Sequence, residues 1–316
     1  MNHFRTLAIA ASLATTLSYA TVTFSKPPPP PPPPPYNPQI AYTVISQGGR
    51  TTTINVSNAD GTDVVSLYST RNLTGGLKFA PSGNQIVFVE QNDIKVLTYA
   101  VSPSQGVTTT SVNTLTSEPY TPLFVDVSPD GMKLLFVEHT ANPNQWAVWV
   151  MSMSGGSRTP INLAPDTYYD AVWAHSNSRI AVIQGAPVQA GFGQQTIQVI
   201  DLDVTNNYAP SIPKTVFIST MSQLYQIQRI ESAHTSDTLV FSATSGSNLS
   251  VYEVDMGGAF DITNIVAGSN ASFNVDDSMI LFVGPTANNL YTYNVNAHTQ
   301  TQITSSVPLT RPDFLP

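Results

Sequence analysis

Leu123-Phe-Val-Asp-Val-Ser-Pro-Asp-Gly131, continued by Met132-Lys-Leu-Leu-Phe-Val137, is the most regular unit in the sequence. A short alternating strand runs into a tight turn, and a strongly apolar strand leaves it. Pro presets one turn dihedral and Gly accepts a positive φ, so Pro129-Asp130-Gly131 reverses the chain. The layout recurs at Leu77-Lys-Phe-Ala-Pro-Ser-Gly83, with Ile86-Val-Phe-Val89 behind it. Degenerate copies stand at Val172-Trp-Ala-His-Ser-Asn177, Glu231-Ser-Ala-His-Thr-Ser236 and Ser272-Phe-Asn-Val-Asp-Asp277. A sixth, Arg311-Pro-Asp-Phe-Leu-Pro316, stops at its turn.

The turn positions are Pro81, Pro129, His175, His234, Val275 and Pro316, spaced 48, 46, 59, 41 and 41 residues apart. A four-stranded propeller blade takes about 40–45 residues. Outer strands fit between the copies, for example Thr52–Ser57, which turns at Asn58-Ala-Asp-Gly61. No long segment carries a helical apolar period. The sequence therefore predicts an all-β chain, a six-bladed β-propeller of four-stranded blades over residues 40–316. Three strands open that region without an inner strand before them, and an inner strand ends it without outer strands after it. The C-terminal strand is expected to complete the first blade and close the ring.

The Ser128-Pro129-Asp130-Gly131 turn and the apolar strand after it resemble the TolB-type propeller repeat. The resemblance covers about residues 40–316. It implies a propeller that presents a ring surface to protein partners. TolB also carries an N-terminal domain before its propeller, for which residues 21–39 leave no room. Relatives with this repeat include the propellers of prolyl oligopeptidase, dipeptidyl peptidase and tricorn protease, in which a separate domain does the chemistry.

The 316 residues hold 12 Lys+Arg against 20 Asp+Glu, a net charge of −8. Duplex nucleic acid is bound largely by phosphate neutralisation, so no nucleic-acid partner is expected. The chain has no Cys, which removes disulfides, Cys-ligated zinc and thiol nucleophiles. Residues 1–20, with Arg5, an apolar stretch from Leu7 to Leu17 and Ser18-Tyr-Ala20, read as a secretory signal peptide. Its apolar stretch is shorter than the ~20 residues of a membrane span. Nine prolines, Pro27–Pro35, follow in a 21–39 spacer. They predict polyproline II, roughly 28 Å long at ~3.1 Å per residue. A periplasmic, secreted or cell-surface monomer is expected, with an envelope or extracellular protein partner and no membrane span after cleavage.

No nucleophile elbow, phosphate loop or His-Glu-x-x-His is present, and no catalytic residue, cofactor or metal ligand is assigned. Asn58-Ala-Asp-Gly-Thr-Asp63 has a faint calcium-loop look but stands where a hairpin turn is required. The candidate binding residues come from strand alternation. Phe79, Val127, Trp173, Ser232, Phe273 and Phe314, one residue from a second set, are expected to pack between blades. The second set, Lys78, Asp126, Val172, Glu231, Ser272 and Asp313, is expected to face the central channel. Its one positive and three negative charges predict either an acidic channel for a cationic group or a metal ion, or a water-filled tunnel. His175 and His234 hold the same repeat position. They either share a metal or each replace a turn proline. The long spacing after His175 marks the fourth blade as expanded, with extra loops at Gly185–Gln195, carrying Phe192, and at Thr205–Lys214. Loops on a rigid scaffold commonly bind. Tyr168, Tyr169 and Tyr208 add aromatic surface to this reading. The function expected is a non-enzymatic binding or scaffold propeller. The alternative is a carbohydrate-acting lyase or hydrolase with a metal in the channel.

Overall fold

A computed structural model describes residues 38–315, except 47, 103–105, 117–121, 140–145, 162, 164–166, 186–193, 220–224, 247, 259–260, 286–288 and 305–308. The signal peptide, the proline run and Phe192 lie outside the described residues.

Six antiparallel sheets form a ring, each one blade. The innermost strands of blades 2 to 6 are Leu73–Phe79, Pro122–Val127, Tyr168–Trp173, Tyr225–Ser232 and Ser269–Phe273. The innermost strand of blade 1 is the C-terminal Leu309–Phe314, which pairs with Ile40–Ile45 in the register Ile40↔Phe314 and Ala41↔Asp313. Thr52–Ser57 and Val65–Thr70 complete that blade. The ring thus closes as the sequence predicts, and two strand edges are removed.

Blade 4 departs from four strands. Its third strand, Thr196–Asp203, pairs with Lys214–Ile218, and its end also pairs with the two-residue strand Ala209–Pro210. The inserted residues form this extra ladder rung. The inner strands of blades 2 to 6 each end in a tight turn, and the hairpins joining third to fourth strands lie at the same end. We call this end the turn face. Asn58–Asp63 is one of those hairpins: Gly61 N donates to Asn58 O (3.0 Å) and Asn58 Nδ2 donates to Asp63 Oδ2 (2.8 Å).

Six apolar clusters fill the six seams between blades. Phe79 packs on Ile54 and Val56 of blade 1, Val127 on Val87 and Val89 of blade 2, and Trp173 on Leu135 of blade 3. Phe273 meets Val240 of blade 5, and Phe314 meets Leu281 and Val283 of blade 6. Apolar burial contributes about 25 cal/mol per Å², so these seams are the main cohesive force of the ring. Tyr168 is buried in the seam between blades 3 and 4, not exposed as its sequence context suggested. Tyr169 packs on the next seam, and Tyr208 is half-buried against Trp173, with ring centroids 6.4 Å apart.

Every innermost pair is irregular at one level. Register shifts fall at Gly75/Leu77, Pro122/Phe124, Tyr168/Asp170, Ile227/Arg229, Ser269/Ser272 and, in blade 1, opposite Ala41/Thr43. A bulge re-aims the side chains that follow it. In all six blades it comes at or just before the channel position. At Gly76 the backbone is left-handed (φ 39°), and a Cβ there would stand 2.8 Å from Val125 Cγ1, so glycine lets blades 2 and 3 approach.

Candidate functional site: the axial charge cluster

The channel positions converge on the axis. Lys78 of blade 2 reaches across to blade 5, where its Nζ donates to Glu231 Oε1. The same Nζ lies 3.4 Å from Asp313 Oδ1 and 3.6 Å from Asp126 Oδ1. Lys78, Asp126, Glu231 and Asp313 are each 5% exposed or less. The cationic group inside this acidic ring is therefore the chain's own lysine.

Two further charges, not singled out in the sequence, join the cluster. Asp170 and Arg229 stand two residues before channel positions 172 and 231, on the same side of their strands. Both are buried, and Arg229 Nη2 lies 3.5 Å from Glu231 Oε2. Stepping back by two along each inner strand would have found them.

The acceptors also stitch neighbouring blades. Asp126 Oδ2 accepts the Trp173 N–H (2.7 Å), Asp170 Oδ2 the Ile230 N–H (3.1 Å), and Asp313 Oδ2 the Phe79 N–H (2.7 Å). Ser272 Oγ accepts the Phe314 N–H (3.3 Å) and donates to Asp313 Oδ1 (2.8 Å). In each case the donor follows the equivalent position of the next blade. Four seams carry this bond. At the corresponding place blades 2 and 5 carry Lys78 and Glu231, which instead join across the ring.

Four carboxyls share two cations, and their proton affinities follow from that imbalance. Burial pushes Asp126 up to about 7, against the pull of Lys78, and Glu231 adds to the rise. Burial likewise pushes Asp170 up to about 7, opposed by Arg229, and raises Asp313, opposed by Lys78. Burial disfavours the Lys78 ammonium, but Asp313, Glu231 and Asp126 outweigh it and hold its pKa above the usual lysine value. A raised lysine and raised carboxyls coexist because the cation has partners to spare and the anions do not.

Space at the axis is small. A cavity of about 40 Å³ lies between the cluster and the turn face, lined by Pro81, Pro129, Trp173, His175 and His234. One of about 10 Å³ lies on the other side, beside Gly76, Asp170 and Arg229. A water needs roughly 10–15 Å³, so these spaces suit ordered waters. Ligand pockets run to about 300–1,000 Å³.

His175 and His234 both line the cavity on the turn-face side, and each also reaches the following blade. His175 Nδ1 lies 3.3 Å from Asp237 Oδ1 of the next blade. The His234 backbone N donates to Asp277 Oδ1 (2.7 Å), also one blade on. Each joins its turn to the following turn. Among the described residues, no group of three or more His, Asp or Glu is placed to hold a metal ion. No helix among them is long and apolar enough to cross a membrane.

The fold is a six-bladed propeller with a charge cluster on its axis. No known family pattern and no curated protein matches the chain. Among solved structures it is similar to TolB from Acinetobacter baumannii, at 17% identity and a TM-score of 0.65, over 90% of this chain and 68% of that one. It is similar to a chain of a nidogen/laminin complex at 7% identity and a TM-score of 0.65, over 88% and 98%. An oligogalacturonate lyase in complex with manganese follows at 12% identity and a TM-score of 0.52, over 84% and 78%. At such identities the likeness is one of fold.

Proposed function

We propose that this chain is a non-enzymatic, partner-binding propeller, exported to the periplasm or cell surface and acting as a monomer. The observation that carries the reading is the axis. Lys78 and its carboxylates fill the place where a propeller enzyme would hold a small molecule, leaving room only for waters. Binding then falls to the outer surface of a rigid ring. The leader signature of residues 1–20 and the fold likeness to TolB and to a chain of the nidogen/laminin complex support this reading.

The competing reading is a carbohydrate-acting enzyme with a metal in the channel. The likeness to the manganese-bound lyase supports it. Such a metal would have to displace the Lys78 ammonium from its three carboxylates.

The test is cross-linking of the full chain in its own host, followed by purification, with an oligogalacturonate assay on the same protein with and without Mn²⁺. A discrete protein adduct without oligogalacturonate turnover is expected. Metal-dependent turnover would overturn the reading.

A further inference from the structure

Among the described residues, the two faces of the ring differ in charge. Ten described aspartates lie in the loops and adjoining strand ends of the turn face, from Asp60 in blade 1 to Asp277 in blade 6. They meet few cations there. Arg179 engages Asp201 (2.7 Å) and Asp237 (3.2 Å), whereas Lys214 is spent on the Gly257 carbonyl (2.6 Å). Lys133, at the start of its strand, is the remaining one there among the described residues, and Arg158 at the rim pairs with Glu138. On the opposite face the described Glu90 and Asp93 are balanced by Arg50, Arg71 and Lys95. Hydrogen bonds from Thr62, Thr205 and Ser278 hold Asp60, Asp203 and Asp276 below the usual carboxylate range, so these charges persist at any working pH.

The same face exposes apolar side chains. Ile212, in the blade 4 insertion, is 92% exposed, Met132 65% and Val275 58%. The insertion is anchored at both ends, by Tyr208 on Trp173 and by Lys214 on the blade 5 hairpin. It therefore holds Ile212 out on a braced support. Beneath it, Trp173 lines the cavity that leads to the axis, and its buried Nε1–H meets no acceptor among the described residues.

We propose that the turn face is the docking surface, and that its occupant is a basic segment of a protein partner, bearing Lys or Arg beside an apolar side chain. This rests on the partner-binding reading above and deepens it. Uncompensated aspartates select a cationic segment and speed its encounter. Ile212, Met132 and Val275 supply apolar contact area, the part of an interface that holds.

The experiment titrates the intact chain with a fluorescent twelve-residue Lys/Leu peptide, with Glu/Leu and Lys/Ser peptides as comparisons, by anisotropy at 50 and 300 mM salt. The variants are Ile212→Ser and the triple Asp203→Asn, Asp255→Asn, Asp261→Asn, with Asp93→Asn on the opposite face. The expected result is binding of the Lys/Leu peptide alone, weakened by salt. It should fall about tenfold in the triple variant and about fivefold or more in Ile212→Ser, and be unchanged in Asp93→Asn. Equal binding by all variants, or none by the wild type, overturns the proposal. A partner adduct that survives both turn-face variants also sinks it, while leaving the partner-binding reading standing. No adduct with the wild type sinks that reading itself.

Discussion

Lys78 and Phe79 are neighbours on one strand and serve opposite regions of the molecule. Phe79 is wholly buried in the apolar seam between blades 1 and 2. Lys78 points to the axis, where it gathers three carboxylates from blades 3, 5 and 1. The seam is non-directional and holds through many contacts, so it tolerates conservative change. The axis holds through a few ionic contacts out of water, so removing one partner leaves others buried and unpaired. The seams give the ring its cohesion. The axis fixes which blades face one another.

The largest expected effect breaks both regions at once. Deleting residues 309–316 removes the inner strand of blade 1, Phe314 from its seam and Asp313 from the axis. The chain should lose its cooperative thermal transition altogether. A truncated chain that melts like the full one would contradict ring closure.

Phe79→Ala should cost about 3–5 kcal/mol in urea unfolding, the usual range for a buried Phe. The conservative Phe79→Leu should cost much less, because the seam accepts apolar volume of similar size.

The axis, unlike the seams, should respond to pH. Asp170 holds its proton up to about 7 in the fold, against 3.8 as its ordinary value. Between those values the folded chain binds the proton and the unfolded chain does not. Stability from this group is thus fully present below about pH 4 and is lost as pH rises through 7. The melting temperature should be higher at pH 5.5 than at pH 8. Asp170→Asn keeps an acceptor for the Ile230 N–H and should narrow that gap. An unchanged gap would remove Asp170 from the account.

The smallest effect belongs to Ile212. Its side chain is almost fully exposed, so Ile212→Ser should change stability by less than about 0.5 kcal/mol. A larger loss would mean that it packs within the ring.

The seams were legible because alternation and turn chemistry are local. Phe79, Val127 and Trp173 could be assigned to them from position alone. The axial residues were half legible. Alternation brings Lys78, Asp126, Glu231 and Asp313 to one side of their strands, but not the finding that the lysine crosses the ring to neutralise the acids. Asp170 and Arg229 escape a reading of one residue per blade, because a charge two places earlier on the strand reaches the same space. The bulges at the channel level left no mark in the residue pattern, since a bulge is a matter of backbone register. The exposure of Ile212 was equally invisible, since the Thr205–Lys214 loop could be recognised from repeat spacing but not which of its side chains face solvent.

The axis is tested most directly by urea unfolding at pH 8 of the wild type, Lys78→Met, and Lys78→Met combined with Glu231→Gln and Asp313→Asn. If the cluster locks the ring, Lys78→Met loses about 3–5 kcal/mol, because it strands buried carboxylates, and the triple variant recovers most of that loss. A Lys78→Met chain as stable as the wild type, or a triple variant no better than the single one, would contradict it.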